Sequence, residues 1–228
     1  MSRGKILKVV HIGKCGGSTA CQAIKKSPLI KQKYKEVEIF HMRKPIYEEN
    51  SDYLIIIRHP IERVISAYNW RYRLVIEEKR QFQKNQSMKE LEISTLTQYK
   101  YLNQIAENLY LENGAPNKEV FKKFRSIRHV KQNISFYIKA LLKSLNPEQI
   151  YGIIKQHNMD SDCKKLLGDI NLSTQKKNKS ENPNDPSLFL SLSSQKNLRR
   201  FFLDDFNCIL SLRNLNAISD ENCLKMIT

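Results

Sequence analysis

Glycine and proline are scarce in this chain, seven of each among 228 residues. That excludes a collagen-like or low-complexity polymer. No stretch reaches the roughly 18 apolar residues needed to cross a bilayer. The N-terminal MSRGKILKVVHIG has a basic start. Its apolar run is too short, and no small-residue cleavage site follows, so a secretory signal is not expected. The cysteines are Cys15, Cys21, Cys163, Cys208 and Cys223, an odd set without a CxxC or regular spacing. Such a set forms neither a disulfide framework nor a zinc site. Reduced thiols in a soluble, cytoplasmic protein without a membrane span are the expectation. Internal repeats, an interdomain linker and any recognisable DNA- or RNA-binding motif are also lacking.

Acidic residues are in short supply: 23 against 39 basic ones, a formal charge of +16. The excess implies polyanionic partners, whether nucleic acid, anionic lipid, a charged glycan or a phosphorylated cofactor. The lysines are spread along the whole chain, so part of the excess is ordinary solvated surface. Hydrophobic residues at 40% suffice for a globular core. The length suits one α/β domain, or one domain with an insertion.

The apolar, β-branched ILKVVHI (6–12) reads as a buried strand. A Gly-rich turn follows, and then a helix from about Ser18. YKEVEIFHM reads as a second strand. DYLIIIRHP is the strongest strand in the chain, and its unbroken Leu-Ile run implies burial on both faces, as in a parallel sheet. Pro60 stands where a helix favours its first residue, and Val64, Ile65, Tyr68 and Tyr72 continue at helical spacing. QIYGIIKQHN reads as a fourth strand, followed by a short helix capped by Gly168. ISFYIKALLKSL and SSQKNLRRFFLDDFNCILSL each read as one helix. The fold class is therefore α/β: three layers, with a mainly parallel sheet of four to five strands flanked by helices. Loops after successive strands of such a sheet gather at one edge, where ligands bind.

Two stretches carry chemistry. In HIGKCGGST (11–19) a strand, a glycine turn and a helix start make an anion site, through backbone N–H groups and the helix dipole. Gly16 and Gly17 let the backbone approach closely. Ser18 and Thr19 add hydroxyls, Cys15 lies inside the loop, and Lys14 adds a point charge. The Walker pattern GxxxxGK[ST] is absent, because the lysine precedes the glycines. In RHPIERVISAY, Arg58 ends the strongest strand and Ser66 lies eight residues on, in the next helix. Together they can grip one phosphate from two sides. An NTPase more often places an Asp at such a strand end, to hold magnesium.

In order, spacing and strand context, these two motifs resemble those of the sulfotransferases that use 3′-phosphoadenosine 5′-phosphosulfate (PAPS). The wording of the first is closer to the carbohydrate sulfotransferases than to the cytosolic steroid and phenol enzymes. The resemblance covers roughly residues 6–75. It implies a P-loop-like fold and a single domain: a PAPS-binding core over 1–80, a helical insertion on the substrate side over 81–148, and a last strand, mobile loop and C-terminal helix over 149–228. It implies that Lys14, Cys15, Gly16, Gly17, Ser18 and Thr19 cradle the 5′-phosphosulfate, and that Arg58 and Ser66 hold the 3′-phosphate. The acceptor would be a hydroxyl, on a carbohydrate or glycolipid, and the product 3′,5′-ADP. No metal is expected, since Lys14 supplies the charge.

His41 ends the second strand, as the catalytic histidine does in the cytosolic enzymes, and is the candidate general base. His129, His157 and a carboxylate remain candidates for that role. His11 reads as structural, and His59 as a neighbour of the 3′-phosphate site. Trp70, Arg71 and Arg73 extend the Ser66 helix and read first as its packing face. Lys177 and Lys179 sit in the polar loop STQKKNKSENPNDPS, similar in position to the loop that closes over the nucleotide. Arg199 and Arg200 read as a solvated helix face. Two other readings stay open: a P-loop kinase or NTPase, and a basic nucleic-acid-binding protein.

Overall fold

The computed structural model describes residues 4–81, 83–169 and 186–228. The elements run β1 (Ile6–His11), α1 (Gly17–Lys26), α2 (Pro28–Lys33), β2 (Glu36–His41), β3 (Ser51–Ile57), α3 (Pro60–Tyr72), α4 (Gln86–Gln98), α5 (Leu102–Glu107) and α6 (Lys118–Ser126). They continue with α7 (Ile134–Ile138), β4 (Ile150–Lys155), α8 (Met159–Leu167), α9 (Leu192–Phe201), α10 (Leu203–Asn214) and α11 (Asp220–Ile227). The fold class is α/β, with a four-stranded, all-parallel sheet flanked by helices.

The chain divides into two compact units. The first is formed by the described parts of Met1–His59, Ile134–Lys179 and Asp204–Thr228, the second by those of Pro60–Asn133 and Ser180–Leu203.

The first unit holds the sheet, in the order β2-β1-β3-β4. All seven residues of β3 are buried, which requires cover on both faces and accounts for its uninterrupted apolar run. β1 packs through Leu7, Val9 and Val10 into a core shared with Ala20 and Ile24 of α1, Cys163 and Leu167 of α8, and Ile209 and Leu212 of α10. Lys8, in the middle of β1, is fully buried. Its ammonium lies 2.7 Å from Glu48 and donates to the Ile46 carbonyl at 2.9 Å, which ties down the connection between β2 and β3.

The second unit is helical. Val64, Ala67 and Tyr68 of α3 are buried, as are Leu96, Leu102, Ile105, Phe124 and Leu198 from the other helices. At its centre Arg71 and Glu92 form a fully buried ion pair.

Several elements depart from the sequence expectation. α2 was not expected; Ser27 caps it by accepting from Ile30 N–H, and Pro28 occupies its first turn. α3 ends as an α-helix at Tyr72 and widens into a π-helical turn over Arg73–Glu77. ISFYIKALLKSL is a short helix followed by a 3-10 turn over Leu141–Lys143. The long C-terminal helix is interrupted at Phe202, which is buried and sits off helical geometry at φ −99° and ψ 22°. Packing of that aromatic ring outweighs local helix propensity.

Candidate functional site

The sheet topology creates the site. From β1 the chain leaves through α1 to β2 on one side, whereas β3, on the other side of β1, is followed in the sheet by β4. The strand order therefore reverses between β1 and β3, and the crevice outside their carboxyl ends is where ligands bind in open α/β sheets. Register aligns that edge. His11 is level with His41 across β1 and β2 and with Ile56 across β1 and β3, and Ile57 is level with Lys155 across β3 and β4. His41, which ends β2, and the loops carrying Lys14 and Arg58 thus lie at the ends of neighbouring strands of the first unit, about 5 Å apart per strand.

The loop after β1 is bent by backbone geometry. Lys14 adopts φ +70° and Gly16 φ +79°. Glycine takes that conformation freely, while in lysine it costs about 1–2 kcal/mol. α1 then starts at Gly17 with no side-chain cap and no acidic residue in its first turn. The first amides of any helix lack partners within it and attract an anion. Ser18 and Gly16 are exposed, Lys14 and Thr19 half-buried, and Gly17 buried. Cys15 is completely buried and belongs to the core, so its thiol is enclosed rather than presented at the surface.

Gly16 is overlain from β4's side of the edge: a Cβ there would come within 2.3 Å of Met159 Cε and 3.6 Å of Gln156 Cγ. Neither residue was singled out in the sequence. No motif marks them, and they reach the loop only because α8 packs beside α1. On either side of them in sequence, Lys155 and Asp162 form a buried pair at 2.9 Å, with the Lys155 amide donating to the same carboxylate at 2.8 Å and Asn158 Nδ2 at 3.0 Å. That carboxylate is committed to structure.

His41 is exposed at the end of β2. Its Nδ1 lies 3.3 Å from the His11 carbonyl oxygen, and its ring stacks on the His11 ring at 4.1 Å between centroids and 25° between planes. The chain then turns sharply at Met42, φ +63°, whose amide donates to the Tyr137 hydroxyl at 3.2 Å. Burial, and secondarily the neighbouring His41, lower the His11 pKa to about 4. His11 is therefore neutral at ordinary pH. The contact was legible in part, since strands 6–11 and 36–41 both end in histidine. What was not legible was that these two strands are neighbours in register.

The remaining candidates separate. Arg58 and His59 directly follow β3 and are half-buried, and the His59 ring lies 5.9 Å from Phe206. His157 is exposed in the turn after β4, on the same edge. Ser66 lies in the second turn of α3, in the second unit, half-buried. His129 belongs to that unit too. It is buried, with φ +70°, and lies 5.4 Å from the Trp70 ring. Arg71 is consumed by Glu92, and Arg73 lies exposed, 3.4 Å from Glu78. Arg200 is exposed but donates to the Gly114 carbonyl at 2.7 Å. Lys177 and Lys179, with residues 173–185 of their loop, lie outside the described residues.

Among the described residues no group of three or more His, Cys, Asp or Glu is gathered to hold a metal ion, and no helix is long and apolar enough to cross a membrane. No protein-family model, curated protein or solved structure matches the chain.

Proposed function

We propose that this protein is a sulfotransferase that moves the sulfuryl group of PAPS to an acceptor hydroxyl, on a carbohydrate or glycolipid. The observation that carries the reading is the placement of the HIGKCGGST loop and Arg58 on the two sides of the strand-order reversal between β1 and β3. That is the position at which a doubly wound sheet holds a phosphorylated ligand. The motif resemblance supplies the identity of that ligand.

Lys14 and the backbone of Cys15, Gly16 and Gly17, with Ser18 and Thr19, hold the 5′-phosphosulfate. Arg58, at the end of β3, holds the 3′-phosphate. The acceptor oxygen attacks sulfur in line, forming a new S–O bond. The bond between sulfur and the bridging phosphate oxygen breaks, and its electron pair stays on the leaving 3′,5′-ADP. Negative charge grows on that phosphate, and Lys14 with the α1 N-terminus stabilises it there more than in the ground state. His41 Nε2 accepts the proton of the acceptor hydroxyl.

Thermal unfolding with 3′,5′-ADP, and separately with ATP and magnesium, tests the reading, because stabilisation follows affinity. Protection by 3′,5′-ADP supports it. Protection by ATP with magnesium alone would establish a kinase or NTPase instead. A steep salt dependence of nucleic-acid binding, without preference for either nucleotide, would establish a nucleic-acid-binding protein.

A further inference from the structure

His11 makes two contacts that a merely space-filling strand residue does not need. Its carbonyl oxygen lies 3.3 Å from Nδ1 of His41. Its ring is held at a face and at an edge: one face meets the His41 ring at 4.1 Å, and its Cδ2 and Nε2 edge lies against Gly17, where a Cβ would come within 1.8 and 2.2 Å. A carbonyl can only accept, so the hydrogen of a neutral His41 resides on Nδ1, and Nε2 keeps its lone pair. The tautomer of a histidine is set by the bond its other nitrogen makes.

We infer that His11 is a positioning residue, whose carbonyl and clamped ring hold the exposed His41 imidazole in the Nδ1–H tautomer with Nε2 presented as the base. The role given to that base rests on the sulfotransfer reading; the arrangement of the two rings does not. The device is a neutral counterpart of the carboxylate that orients a histidine in hydrolytic triads. It adds no charge to a site that must receive an anionic nucleotide, and it couples the base to the phosphate loop, because Gly17 at the start of α1 is the wall behind the His11 ring. Other charged groups near the two strand ends are Lys14 of the loop and Arg43, which Glu38 of β2 holds at 2.8 Å.

The test is the ring tautomer of His41, read from long-range proton–nitrogen spectra of nitrogen-labelled protein at a pH where both imidazoles are neutral. The His41 signals are assigned by their loss in His41→Gln. The wild type is expected to show Nδ1 protonated and Nε2 unprotonated. His11→Leu fills similar volume without a planar face and is expected to lose that preference; His11→Phe restores a flat ring and is expected to regain it. Acylation of Nε2 by diethyl pyrocarbonate should slow several-fold in His11→Leu and recover in His11→Phe. A wild-type His41 protonated on Nε2 overturns the proposal without any variant. An unchanged tautomer and acylation rate in His11→Leu overturn the part played by the ring. An Nδ1–H wild type that gains no protection from 3′,5′-ADP supports the histidine pair while removing the sulfotransfer reading.

Discussion

Gly17 and His11 touch so closely that no side chain fits between them: a Cβ on Gly17 would lie 1.8 Å from Cδ2 of the His11 ring. The ring is rigid and one of its faces is stacked on His41, so it can yield only by giving up that stack. Gly17→Ala is therefore expected to destabilise the protein by about 1–3 kcal/mol, the usual cost of overpacking, although alanine favours helices. Urea denaturation measures it. An alanine variant as stable as the wild type would show that the contact is slack.

The acid limb of stability should carry a contribution from His11. Its folded value of about 4 lies below the ordinary 6.5, chiefly through burial. The unfolded chain then binds the proton first, so the contribution is intact above about pH 6.5 and declines as pH falls toward 4, by at most about 3 kcal/mol. His11→Leu removes the titrating group. Between pH 7 and 4.5 it is expected to lose less stability than the wild type. Other acid-sensitive contributions are common to both chains and cancel in the difference. Parallel losses in the two would contradict it.

Lys14 separates the demands of backbone and charge. Lys14→Gly suits φ +70°, so folding stability should hold or rise slightly. The ammonium is gone, however, and the affinity for 3′,5′-ADP should fall roughly 10- to 100-fold, as for one lost charge-assisted contact. Arg58→Ala should lower it by a similar factor. Calorimetric titration at fixed salt gives both numbers. Unchanged affinity in either variant removes that residue from the nucleotide site.

The buried pair of the second unit predicts a stability effect with no bearing on the nucleotide. Arg71 donates to Glu92 through Nε at 2.8 Å and Nη2 at 2.6 Å, and Gln81, Gln83 and the Arg128 amide also donate to the carboxylate. Burial alone would raise the Glu92 pKa, but the bonds from Arg71 and Gln83 hold it below the ordinary carboxylate range. Glu92→Leu leaves the buried Arg71 charge without its counter-ion, with only the neutral Gln81 Oε1 at 2.9 Å to accept from it, and should cost about 3–5 kcal/mol. Replacing both, with Arg71→Met added, should recover much of that loss. A double variant as unstable as the sum of the singles would contradict it. A double-mutant cycle by chemical denaturation makes the comparison.

The sequence by itself determined the four strands, the α/β class, and the chemical content of the 11–19 loop and of Arg58. Those signals are local: an unbroken β-branched run, paired glycines before a helix, an arginine closing a strand. They are written where they act. It did not show that α3 turns π-helical after Tyr72, that Phe202 splits the last long helix, or that Arg71 is paired with Glu92. Each of those is settled by what a side chain packs against, at separations the local pattern does not encode. The same holds for the site. His11 and His41 are 30 residues apart, and each alone reads as a histidine ending a strand. Only the parallel register of β1 on β2, set by which apolar faces the helices cover, brings the two imidazoles into one stack.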